Sequence, residues 1–148
     1  MEIIQKGIGQ TLVNRFFTGK TISDLWDFCP CKMLWEAIRM INAKILTQNE
    51  VVQVLRSTAN VFVFSELLPS LYQGVDPTYK VINCSSVIAE NEDSYMEKFL
   101  KDLGMFGIEP IYIVSQDFTW MIVLTTENTA DGKQLCAYTE GPSKVFEK

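Results

Sequence analysis

The most reactive side chains in this sequence are four cysteines, and two of them, Cys29 and Cys31, flank one proline in "CPC". A thiol at a helix N-terminus can have a depressed pKa and so become a nucleophile or a metal ligand. One intervening residue is too few for the common zinc and redox pairs, which use two or more, and Cys84 and Cys136 stand alone in predicted strands. The expectation is therefore four free thiols, neither bridged nor metal-bound, packed as small hydrophobes. There is no histidine anywhere, which removes Ser–His and Cys–His nucleophile pairs, His-ligated zinc and the usual general base near neutral pH. Carboxylates remain, but no spacing singles out a catalytic pair. "TGKT" at positions 18–21 resembles the tail of a phosphate-binding loop. Asn14 stands where the leading glycine should be, and Arg15, Phe16 and Phe17 are too bulky for backbone N–H groups to wrap a phosphate, so the segment reads as a helix end. No catalytic residue, cofactor site or metal site is assigned.

Charge points in the same direction. The chain has 148 residues and a net charge of −5. Residues 1–74 hold 7 basic and 6 acidic side chains, whereas residues 75–148 hold 6 basic and 12 acidic. An acidic surface disfavours non-specific nucleic-acid binding and speeds encounter with a basic partner, although solubility alone also calls for net charge. No stretch approaches the roughly 20 apolar residues of a membrane span, and glycines interrupt "MEIIQKGIGQ" where a signal peptide is continuously apolar. The expectation is a cytoplasmic protein, one globular domain over residues 1–148, with neither nucleic acid nor membrane as partner.

These residues need elements to position them. Ile4, Ile8, Leu12 and Phe16, with Val13 and Phe17 beside them, predict an amphipathic first helix weakened by Gly7 and Gly9 and ended by Gly19. Leu34, Ile38, Ile41 and Ile45 form a second helical stripe beginning near Pro30. Thr47 and Glu50 make a capping box for a third helix through Val51, Val54 and Leu55, ending within 57–60. "NVFVFSEL", "YKVINCSSVI" and "KQLCAYTE" then read as strands. Between the second and third of these, Asn91 opens a fourth helix whose apolar face is Tyr95, Met96, Phe99, Leu100 and Leu103. The whole argues an α+β fold, with N-terminal helices packed on one face of a mostly antiparallel sheet.

The stretch "IYIVSQDFTWMIVLTTEN" predicts a hairpin of strands 111–115 and 118–126, since "SQD" leaves too little chain for a parallel crossover. Alternation puts Phe118 and Trp120 on one side of the sheet and Thr119 and Met121 on the other, with Trp120, Ile122 and Leu124 packed under helices. Leu34, Ile38, Ile41, Phe99 and Trp120 are expected in the core. Glu90, Glu92 and Asp93 are the densest acidic cluster and, with Asp117 and Glu127 near the hairpin ends, are the candidate partner-binding residues.

Over residues 109–131, "EPIYIVSQDFTWMIVLTTEN" resembles a segment of small cytoplasmic bacterial proteins that include immunity proteins of polymorphic-toxin systems, where an aromatic strand, a short acidic turn and a Trp-containing strand precede "EN". There a histidine commonly follows "EN". Thr129 follows it here, so no role of that imidazole carries over. The resemblance implies a binder that covers a toxin's active site, and an acidic binder suits a basic nuclease toxin. Two alternatives come from other classes: a small enzyme or redox sensor using Cys29/Cys31 or a carboxylate pocket, and a phage or mobile-element accessory protein.

Overall fold

In the computed structural model the described residues are 7–17, 19–30, 32–40, 43–66, 68–77, 79–86, 94–95, 98–99, 110–128, 130, 132 and 134–141. Helices α1 (Ile8–Phe16) and α2 (Ile22–Phe28) precede a 3-10 segment, Leu34–Met40. Next come β1 (Ala43–Leu46), α3 (Gln48–Arg56), β2 (Asn60–Phe64), α4 (Leu68–Tyr72), β3 (Tyr79–Asn83), β4 (Ile111–Ser115), β5 (Met121–Asn128) and β6 (Gln134–Thr139). The fold is α+β: the strands form one six-stranded sheet in the order β1-β6-β5-β4-β2-β3, and every pairing is antiparallel.

Both faces of this sheet are covered, where a single helical layer was expected. Phe62, Phe64, Tyr112, Val114, Met121, Val123 and Ala137 point to the face packed by α1, α2, α4 and Leu34. Their neighbours Val61, Val63, Ile111, Ile113, Ile122, Leu124 and Cys136 point to the other face, against Val51, Val52 and Leu55 of α3 and against Tyr95 and Phe99. That double burial explains the uninterrupted apolar runs "NVFVF", "IYIV" and "MIVL", because a strand with one wet face would alternate. The edge strands differ. Three of the four β1 residues are exposed, and Lys44 on β1 and Lys80 on β3 put charge where stray edge pairing would start.

Local chemistry sets the helix ends. The Thr47–Glu50 capping box forms as expected: Thr47 N–H donates to Glu50 Oε1 at 2.8 Å and Glu50 N–H to Thr47 Oγ1 at 3.2 Å. A second box, Thr21–Asp24, starts α2, and its hydrogen bonds from Thr21 hold the Asp24 carboxyl below its ordinary pKa. Gly9, read as a weakness in α1, is a packing requirement, since a Cβ there would lie 2.2 Å from Leu71 Cδ2 and 2.9 Å from Pro77 Cδ.

The 34–45 stripe is corrected. Among the described residues of this stretch Leu34–Met40 is helical, and of 3-10 type, whereas Ala43–Leu46 is β1, which pairs with β6, so Ile45 lies on an edge strand at 58% exposure. Sheet pairing overrides a helical spacing that continues by chance. Leu34 and Phe99 are buried as expected; Ile41 and the Ile38 side chain lie outside the described residues. In the expected fourth helix, Ser94, Tyr95, Lys98 and Phe99 are helical, and the rest lies outside the described residues.

Candidate functional site

The hairpin turn is longer than "SQD". Ser115 N–H donates to Trp120 O at 3.1 Å and Phe118 N–H to Ser115 O at 3.0 Å, so β5 begins at Met121 rather than Phe118. Inside the turn, Ser115 Oγ accepts from Thr119 N–H at 2.9 Å, and Asp117 Oδ1 accepts from Thr119 Oγ1 at 2.8 Å. Arg15 Nη2 donates to Thr119 O at 3.3 Å, which ties the turn to α1. Phe118 has φ +59°, left-handed backbone that a bulky side chain rarely adopts.

That conformation breaks the alternation, so Phe118 and Trp120 lie on opposite faces. The Phe118 ring packs 5.7 Å from that of Phe62, and Phe62 also takes the edge of Tyr79 at 5.5 Å. Val81, opposite Phe62 across the β2–β3 pair, is 51% exposed. Phe118, Tyr79 and Val81 thus form an apolar surface over Phe62, with the exposed Asp117 next to Phe118. Trp120 packs on the other face with Ile122 and Leu124, as expected, but it is only partly buried and stacks on Tyr138 at 6.2 Å.

Of the five candidate acids, only Asp117 has its side chain among the described residues. Asp117 is exposed, and hydrogen bonds from Thr119 and then Ser115 hold its carboxyl below the ordinary value. Glu90, Glu92 and Asp93 lie outside the described residues, as does the side chain of Glu127, whose backbone belongs to β5.

Cys29, Cys84 and Cys136 are buried free thiols. Burial pushes each up to about 11, so they are protonated near neutral pH, the reverse of an activated thiolate. Cys84 lies in a short 3-10 turn after β3 rather than in a strand. Cys31 lies outside the described residues. No group of three or more metal-ligating side chains occurs among the described residues.

A part-buried polar cluster centres on Glu66. Tyr112 donates to Glu66 Oε1 at 2.5 Å, and Glu66 Oε2 accepts from the N–H groups of Leu34 and Leu68, both at 3.0 Å. One carboxylate therefore serves the first residues of the 3-10 segment and of α4. Burial, then the charge of Glu66, raises the Tyr112 hydroxyl well above its ordinary value. Tyr112 is fully buried and Glu66 half-buried, and the cluster ties β4 to the starts of the 3-10 segment and of α4.

On the outside of the same layer, α2 and α4 bring Trp26 and Tyr72 together with ring centroids 4.2 Å apart and planes within 12°. Neither residue belongs to an apolar stripe or motif in the sequence. Thr21 and Asp24, three apart ahead of "LWDF", were the signal for a short helix carrying surface aromatics.

Comparison of the chain with protein-family models, with curated proteins and with solved structures found no match. No helix among the described residues is long and apolar enough to cross a membrane.

Proposed function

We propose that this chain is a non-catalytic protein-binding domain acting in the cytoplasm, and that its role is that of an immunity protein neutralising a cognate bacterial toxin. The observation that carries the reading is the surface of Phe118, Tyr79 and Val81 over Phe62, bordered by Asp117. An apolar centre with a charged rim is the anatomy of a protein interface. It is built by the same hairpin that resembles immunity-type proteins. The redox alternative gains nothing from Cys29, Cys84 and Cys136, which are buried and protonated, and both carboxylate oxygens of Glu66 are engaged in holding the fold. The overall charge of −5 favours a basic partner.

The test is co-expression of the tagged chain with the products of the adjacent genes, followed by affinity capture and a growth assay. A stable complex with a neighbouring toxin, and growth restored by the chain, are the expected results. Adjacent genes that encode no toxin, together with no captured neighbour, would overturn the immunity role and favour the accessory-protein alternative.

A further inference from the structure

We infer that the Trp26–Tyr72 stack receives an arginine side chain from a basic segment of the partner protein, an inference that rests on the binding function proposed above. The stack already carries one cation from its own chain: Lys32 Nζ sits 4.9 Å from the Trp26 ring centroid and donates to Trp26 O at 2.6 Å. Tyr72 occupies one face of the Trp26 ring, which leaves Lys32 the other. The backbone at Lys32 has φ +59°, an uncommon conformation for a residue with a Cβ. The free end of the stack is Tyr72, which is 48% exposed and contacts no second ring or cation among the described residues.

Charge decides what fits there. From Ile22 to Phe28 and from Leu68 to Pro77 the chain carries Asp24, Asp27 and Asp76 and no basic residue. Lys20 lies beside Asp24, and Asp76 Oδ2 accepts from Gly7 N–H at 3.0 Å. Asp27, next to Trp26, is exposed and engaged by none of the described groups. Acids on and beside the two helices that carry the stack disfavour the phosphates of nucleic acids and anionic lipids and favour a cation. A guanidinium suits the place better than an ammonium because its plane stacks on the ring while its N–H groups reach a carboxylate. The exposed Val75, just beyond α4, offers apolar surface to the methylene stem.

The test uses the full chain, labelled for nuclear magnetic resonance, and the peptide acetyl-Gly-Arg-Gly-Arg-Gly-amide, with its citrulline counterpart as the uncharged control. The arginine peptide should shift the Trp26 indole N–H and the Tyr72 amide saturably, leaving the indoles of Trp35 and Trp120 in place. Citrulline should shift neither. Tyr72→Leu, which keeps apolar contact but removes the ring, should weaken binding roughly two- to fivefold, and Asp27→Asn should weaken it and flatten its salt dependence. Equal response to both peptides, affinity unchanged in Tyr72→Leu, or a Trp26 shift produced instead by phosphatidylglycerol vesicles would overturn the inference. Because the peptide assay needs no partner, its failure leaves the binding function standing, and an absent toxin partner leaves the peptide result standing.

Discussion

The hydroxyl of Tyr112 donates to Glu66 Oε1 at 2.5 Å while accepting the backbone N–H of Trp35 at 2.9 Å. Through it β4 grips the start of the 3-10 segment, and Glu66 adds the start of α4. Tyr112→Phe deletes the donor and leaves the Trp35 amide without this acceptor, which should cost about 1–3 kcal/mol. Denaturant midpoints of Tyr112→Phe, Glu66→Gln and the double variant should show coupling, because the two side chains act as one unit. Strictly additive losses would mean that the pair does not bridge these elements.

Gly9→Ala tests the contact of α1 with α4. Alanine is the better helix former by roughly 1 kcal/mol, but its methyl would meet Leu71 at 2.2 Å and the Pro77 ring at 2.9 Å. Overpacking of this kind costs about 1–3 kcal/mol, so the net change should be a loss, partly recovered when Leu71 is shortened to Val. A more stable Gly9→Ala protein would show that the helices yield freely.

At Phe118 the usual order of two substitutions should invert. Both Phe118→Ala and Phe118→Gly lose the ring packed on Phe62, but only glycine accepts φ +59° without penalty. Phe118→Gly should be the more stable of the two by about 1 kcal/mol, read from their unfolding midpoints. Alanine equal to or better than glycine would contradict the left-handed turn.

Thiol titration gives a pH dependence with a definite sign. In the folded chain burial moves Cys29, Cys84 and Cys136 from the ordinary 9.0 to about 11. Between those values the unfolded chain has lost these protons and the folded chain keeps them, so unfolding releases protons and stability falls as pH rises. The contribution is fully present below pH 9 and lost through about 11. Denaturant midpoints should drop across that window, and less so when Cys136 is replaced by Ala.

The sequence was legible where one physical signal dominated. The Thr47–Glu50 box and the apolar runs of β2, β4, β5 and β6 placed α3 and four strands. The second helical layer went unread because a continuous apolar run specifies burial without saying that both faces are covered. Ile45 misled because its spacing from Ile41 fits a helix, while its true partner, Ala137, lies far along the chain in β6. Of the candidate acids, the exposed place of Asp117 in the hairpin turn was legible from the sequence. Its surroundings were not, because Phe118 occupies a left-handed position that sequence rules reserve for Gly or Asn.

The central claim is that the hairpin and β3 form a partner-binding surface, and one comparison tests it most directly: the affinity of the captured partner for the native chain against Val81→Asp. Val81 is 51% exposed on the edge strand β3 and faces Phe62 across the strand pair, so the substitution leaves the core intact while putting a charge into the apolar surface beside Phe62. Isothermal titration should show a loss of at least roughly tenfold, with an unchanged unfolding midpoint, as for a charge buried unpaired in an interface. Unchanged affinity in a correctly folded Val81→Asp protein would contradict the claim and move the interface elsewhere on the molecule.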